Sequence, residues 1–177
     1  MATNATTWHA LVIGRAGIDL YPQPDGGKAR DAAGFSADMG GSGGNIAAAV
    51  GLAGGNVALL SALSDDPAGH FVRQRLQECH VSTDFLQTTK GSQRTSLAIA
   101  EVRPEDCEVV IYRNDAADLA LTESTGAKNA IKQSANLIIT GTSLISEPSR
   151  STTLAYMAYA KANDCLVWLD LDYRAWN

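Results

Sequence analysis

Short apolar runs alternate along this chain with stretches in which apolar positions recur every three or four residues. Ala10-Leu-Val-Ile-Gly14 is the first run, and it reads as a buried strand ending at a glycine. From Asn45 the spacing turns helical, with Ile46, Ala49, Val50 and Ala53 on one face and Gly54-Gly55 as a stop. Residues 57–61 read as a second buried strand. Asp66-Pro67 then opens a helix, with aspartate as N-cap and proline at the first helical position. Its apolar face is Ala68, Phe71, Val72, Leu76 and Cys79, with the stem of Arg75. Residues 96–102 and 108–112 are β-rich and flank the polar Arg103-Pro-Glu-Asp106, a pattern that predicts a hairpin. Helix over 122–134, strand over 137–140, helix over 149–162 and strand over 166–171 complete the pattern. Residues 22–34, rich in proline and glycine, read as loop, with a short strand around Phe35.

Strand and helix thus alternate at both ends, which predicts a parallel sheet covered by helices. The hairpin between them is the odd piece, and an insertion of this kind suits a lid over a site. The last run, 166–171, is as apolar as a strand buried on both faces in mid-sheet. Left at an edge it would expose unpaired backbone groups and apolar surface, so a covering element is expected beyond it.

Composition narrows the class. The 177 residues suffice for about one domain. Fourteen basic against nineteen acidic residues give a net charge of -5, with no basic cluster, which argues against a nucleic-acid partner. No apolar stretch is long enough for a bilayer, so no membrane association is expected. The first ten residues lack the pattern of a secretory signal. Three widely spaced cysteines, Cys79, Cys107 and Cys165, fit neither a disulfide framework nor a zinc site. A cytoplasmic location is the expectation.

The glycine cluster Gly40-Gly-Ser-Gly-Gly-Asn45 lies directly before a helix. It would let main chain approach a ligand closely and would offer free N–H donors. It lacks the Gly-Lys-Ser/Thr of a P-loop and the third glycine of a dinucleotide fingerprint. Spacing alone leaves open a plain flexible loop. Asp19 follows the first strand, where parallel sheets bind ligands, yet it also fits a solvated loop acid. Tyr112-Arg113 closes the hairpin, where the arginine either meets an anion or makes a surface ion pair. Asp170 and Asp172, two apart at the end of the last strand, would share one face. They serve metal or phosphate chemistry there, or are simply polar residues at a strand end. His9, His70 and His80 show no metal spacing.

Several segments together resemble one family. Val12-Ile-Gly-Arg-Ala-Gly-Ile-Asp-Leu20, the glycine cluster running into Ile46-Ala-Ala-Ala-Val50, and Asp65-Asp-Pro-Ala-Gly-His-Phe71 look like the N-terminal half of ribokinase-like (PfkB) sugar kinases. Tyr112-Arg-Asn-Asp-Ala-Ala-Asp-Leu119, Gly141-Thr-Ser-Leu-Ile-Ser-Glu-Pro-Ser-Arg150 and Leu169-Asp-Leu-Asp-Tyr-Arg174 with Trp176 are similar to the subfamily of 5-dehydro-2-deoxygluconokinases of myo-inositol catabolism.

The resemblance implies an α/β fold, a three-layer α/β/α ribokinase-like (Rossmann-like) core that is incomplete, with a small β-sheet lid from strands near 35–39 and 95–113. It implies that residues 1–177 are the N-terminal part of the kinase domain, without the nucleotide-binding and catalytic half. Asp19 would accept hydrogen bonds from sugar hydroxyls, and Gly40, Gly41 and Asn45 would line the pocket. Ser42 stands where some relatives carry lysine. Tyr112 belongs to the same pocket, and Arg15, Arg113 and Arg174 would meet the acid end of a sugar acid or the transferred phosphate. The cofactors implied are ATP and Mg2+, and the partners are a small sugar or sugar acid and a second copy paired through the lid. The family's base sits in a Gly-Ala-Gly-Asp motif that the 177 residues do not contain, so this chain alone is expected to be inactive. The competing functions are phosphorylation of 2-keto-3-deoxygluconate or fructose, and non-catalytic sugar binding.

Overall fold

The computed structural model of the protein describes residues 7–173. Ten strands and four α-helices follow in the order β1 (Ala10–Ile13), β2 (Gly17–Gln23), β3 (Gly34–Gly40), α1 (Ser42–Leu52), β4 (Val57–Ser64), α2 (Pro67–Glu78), β5 (Val81–Ser82), β6 (Leu86–Thr89), β7 (Leu97–Val102), β8 (Cys107–Tyr112), α3 (Thr125–Ile131), β9 (Asn136–Thr140), α4 (Ser149–Lys161) and β10 (Leu166–Asp170). Single 3-10 turns cover Ala29–Asp31, Ala117–Ala120 and Gly141–Leu144.

One sheet runs β10-β9-β1-β4-β5, and β6 also pairs with β4 further along the same edge. All of its pairings are parallel. Because side chains alternate across a strand, β1 feeds two cores. Leu11 and Ile13 pack with Ala58, Leu60, Leu137 and Ile139 against Ile131 of α3 and Tyr156 of α4. Ala10 and Val12 pack with Val57 and Leu59 against Ala47 of α1 and Val72 and Leu76 of α2. Helices therefore cover both faces, and the core is the expected three-layer α/β/α fold. Tyr156, fully buried, satisfies its hydroxyl by accepting the Ser124 N–H at 2.7 Å. Ser124 also caps α3.

The second sheet lies where the lid is expected, and it has four strands in the order β3-β2-β7-β8. The hairpin was expected as β7 and β8, and the strand around Phe35 as β3. Strand β2 was not: its proline and its charged residue conceal a strand that pairs with β3 antiparallel and with β7 parallel. Asp19 therefore sits within a lid strand rather than in a loop.

Other boundaries move for local reasons. Helix α1 begins at Ser42, three residues before the expected start, because Gly41 turns the chain with φ 96 and the next two glycines tolerate the close packing described below. The second core strand extends to Ser64, the helix expected over 122–134 is confined to Thr125–Ile131, and the short strands β5 and β6 went unread. Asp66 caps α2 as expected, accepting from the N–H groups of Ala68 and Gly69 at 3.0 Å each. At the other end, β10 stops at Asp170 and Asp172 has φ 41. The same-face argument for those two acids therefore fails, since alternation ends where the backbone turns left-handed. Among the described residues β10 is an edge strand, with Leu166, Trp168 and Leu169 exposed.

Candidate functional site

Parallel strands end together, and the turns leaving the C-terminal ends of β1 and β9 converge beside the start of α1 and the lid. The approach is close enough to dictate residue size. A Cβ on Gly14, just past β1, would strike the hydroxyl of Thr140 at the end of β9. A Cβ on Gly43 would lie 2.7 Å from the Gly14 backbone, and one on Gly41 would lie 2.5 Å from the Arg15 carbonyl oxygen. The glycine cluster thus lets the first turn of α1 pack directly on the chain leaving β1. The Gly44 N–H confirms that contact by donating to the Arg15 carbonyl at 3.0 Å. A helix start leaves its first N–H groups without intrahelical acceptors, and those of Ser42 and Gly43 lie at this junction.

Arg15 is 6% exposed. Its Nε donates to the Ser96 hydroxyl at 2.7 Å, and its Nη2 stands 3.8 Å from an oxygen of Asp19. Burial pushes the guanidinium below its ordinary value; Asp118 and Asp19 pull it back, and Arg113 opposes them. The Asp19 carboxyl lies above the ordinary range because burial disfavours its charge, although Arg15 counteracts this and Asp38 adds to it. Asp19 also lies against Gly40, where any Cβ would collide with its carboxylate. So β2, the end of β3 and the turn after β1 bring Arg15, Asp19, Gly40 and Gly41 together.

Arg113 joins from the end of β8. Its Nη2 donates to a carboxylate oxygen of Asp118 and to the Thr142 carbonyl oxygen, the latter at 2.8 Å. Thr142 in turn meets Ser42 at 3.4 Å between hydroxyls and Thr140 at 2.7 Å. Arg113 and Ser42 are therefore linked through one residue of the turn after β9.

Asp118, Thr142 and Ser96 escaped the sequence reading as site residues. Asp118 did carry a signal, for it is an acid inside the otherwise apolar Ala116-Ala-Asp-Leu-Ala-Leu121, and a buried charge needs a partner. Thr142 was quoted only inside the segment from Gly141 to Arg150, and nothing marked Ser96, because hydroxyl residues at strand ends are commonplace.

The remaining candidates are less tightly drawn in. Asn45 lies one turn into α1, on the same side as Ser42, and is exposed. Tyr112, at the end of β8, is also exposed. Arg174 lies outside the described residues. Among those residues no group of three or more His, Cys, Asp or Glu side chains could hold a metal ion. No helix of the described residues is long and apolar enough to cross a membrane.

Known proteins resemble this chain in sequence and in fold. The profile described as pfkB family carbohydrate kinase matches residues 9–175. The 5-dehydro-2-deoxygluconokinase of Photobacterium profundum is 40% identical over 168 residues, which is 95% of this chain and 51% of that protein. The enzyme of that name from Listeria innocua is 32% identical over 93% of this chain and 51% of its own length. The chain thus spans about half the length of the curated relatives it matches. Among solved structures, fructokinase from Xylella fastidiosa superposes with a TM-score of 0.81 at 26% identity, over 94% of this chain and 51% of that one. The same enzyme is also known with bound ATP. The 2-dehydro-3-deoxygluconokinase of Thermotoga maritima, at 22% identity and a TM-score of 0.82 over 94% of this chain and 51% of that one, shares the fold.

Proposed function

Because the chain belongs to the pfkB family of carbohydrate kinases, we propose that it forms the sugar-recognising part of an ATP-dependent kinase acting on a hydroxyl of 5-dehydro-2-deoxygluconate. The observation that carries this reading is the 40% identity to a 5-dehydro-2-deoxygluconokinase, extending over 95% of the chain. Arg15 beside Asp19, and Arg113 at the end of β8, support it, because guanidinium donors match a carboxylate-bearing sugar better than a neutral one.

In this proposal Asp19 accepts hydrogen bonds from sugar hydroxyls. Gly40, Gly41, Ser42 and Asn45 form the wall of the pocket, with Tyr112 at its lid side. Arg15, Arg113 and Arg174 receive the acid end. MgATP supplies the phosphoryl group in this family. The residues of this chain orient the acceptor. The Gly-Ala-Gly-Asp motif that would bring the base is absent from the 177 residues. A positioned base contributes roughly 10²- to 10⁴-fold, and phosphoryl transfer depends on positioning throughout. The chain by itself is therefore proposed to be inactive. A cytoplasmic place in inositol catabolism accompanies this reading. So does pairing of two copies through the lid, where Phe35, Val109 and Val110 are exposed.

The likeness to a fructokinase at 26% identity makes a neutral ketose the competing acceptor. A chimaera decides between them. Residues 9–175 replace the corresponding half of the Photobacterium profundum relative, and ADP release is measured with the sugar acid and with fructose. Preference for the sugar acid is expected. Faster turnover of fructose would reject the assignment, and robust ADP release by the unfused chain would reject its inactivity.

A further inference from the structure

Ser96 has no part in the substrate contacts proposed above, yet it is buried where β7 leaves the core, and its hydroxyl accepts from Nε of Arg15 at 2.7 Å. The ion pair from Arg15 to Asp19 is longer, 3.8 Å, and Nη2 of Arg15 has no hydrogen-bond partner among the described residues. Asp118, Asp19 and Asp172 attract the guanidinium and Arg113 repels it. Coulomb attraction has no preferred direction, whereas a hydrogen bond weakens steeply off its axis. The bond to Ser96 is therefore what orients this buried cation.

The acceptor is itself anchored. The Ser96 carbonyl accepts from the Ile18 N–H at 3.0 Å, which ties it to β2. Its neighbour Thr95 exchanges bonds with Ser64 at the end of β4. The Thr95 N–H donates to the Ser64 hydroxyl at 2.9 Å, and the Ser64 N–H donates to the Thr95 hydroxyl at 3.0 Å. Gly17 leaves the room for the pair, since a Cβ there would lie 2.8 Å from the Ser96 hydroxyl oxygen and 3.0 Å from Nη2 of Arg15.

We propose that Ser96 is a positioning residue, whose hydroxyl fixes the Arg15 guanidinium beside Asp19 and so sets where that pair meets the sugar. Without the hydroxyl, Nε of Arg15 is left unpaired in a dry interior, and the side chain turns toward another acceptor or draws in water. Asp19 then loses the cation that faces it from the turn after β1, while Asp38 on β3 continues to repel it. This inference rests on the sugar-acid reading of the site, and its test separates the two.

The test uses the whole 177-residue chain with nitrogen-15-labelled arginine and carbon-13-labelled aspartate. Magnetic resonance records the Nε–H signals of Arg15 and Arg113 and the titration of the Asp19 carboxyl, in the wild type and in Ser96→Ala. Circular dichroism checks folding. In S96A the Arg15 signal is expected to move and to exchange faster with water. The Arg113 signal is expected to hold, because its bonds run to Asp118 and Thr142. Burial raises the Asp19 carboxyl and Arg15 lowers it, so in S96A it is expected to titrate at higher pH. Titration with 5-dehydro-2-deoxygluconate then reads function, and S96A is expected to bind on the order of tenfold more weakly. An unchanged Arg15 signal, an unchanged Asp19 titration or wild-type affinity in S96A overturns the proposal. Equal movement of both arginine signals, which a purely structural role would produce, does so too. If S96A does not fold, Ser96→Cys keeps the shape with a weaker acceptor. The Arg15 signal alone must then shift, and its constancy overturns the proposal. If the wild type binds no sugar acid while the Arg15 and Asp19 signals respond in S96A, the fixing of Arg15 stands and the sugar-acid reading is what fails.

Discussion

Strands β1 and β10 belong to one parallel sheet and are both written in apolar residues, yet they live in different surroundings. Every residue of β1 is buried, because β4 and β9 flank it and helices cover both faces. In β10, paired among the described residues only with β9, Trp168 is 54% and Leu169 45% exposed. The turn that follows β1 carries Arg15 into the interior beside Ser96 and Asp19. The turn that follows β10 breaks the strand alternation at once. An apolar run therefore specifies that a strand forms, whereas its neighbours decide how much each side chain contributes and whether the next turn can hold a charge out of water.

The sharpest way to break the comparison is to delete the same side chain from each strand. Leu11→Ala, at a site with no exposure, should cost about 2–5 kcal/mol through lost burial and a cavity, measured by urea unfolding. A smaller loss would mean that the core collapses around the gap. Next comes the packing just past β1. Gly43→Ala places a methyl group against the Gly14 backbone and should cost about 1–3 kcal/mol by overpacking. The Arg15 side-chain signal should move with it.

The cap of α2, a helix that covers one face of β1, offers a milder and pH-dependent probe. Burial alone would raise the Asp66 carboxyl, but donors from Gly69, Ser64 and Ala68 outweigh it and hold the group below its ordinary value. The sign follows from linkage. Stability from this group is present above the unfolded value of about 3.9 and is lost as pH falls through the lower folded value. Asp66→Ala should cost about 1 kcal/mol near neutrality, and thermal melts should show the deficit shrinking on acidification. The smallest effect is expected at the exposed edge, where Leu169→Ala should change stability by less than about 1 kcal/mol. A loss as large as that of Leu11→Ala would mean that β10 is covered in solution.

The lid and the core were unequally legible. Core strands announce themselves by apolar runs and core helices by caps such as Asp66-Pro67, since both signals are local. Three of the four lid strands were anticipated at least in part, but β2 was hidden. A half-exposed strand containing proline and aspartate lacks the contrast between faces on which periodicity depends. At the site, Asp19, Arg15 and the glycines were identified by motif, and Asp118 only by being quoted within one.

The reasons for those residues were a different matter. Gly40, Gly41 and Gly43 suggested room for a ligand, and the structure shows the chain itself filling the space of each absent side chain. The order of strands, the joining of Arg113 to Ser42 through Thr142, and the bond from Arg15 to Ser96 involve residues tens of positions apart. By itself the sequence determined the α/β alternation, the start of α2 and the chemical types available to the pocket, because local propensity and residue chemistry act over a few positions. Only the tertiary structure decided which strand became central, which an edge, and which charges met, because burial and Coulomb attraction depend on distance in space rather than along the chain.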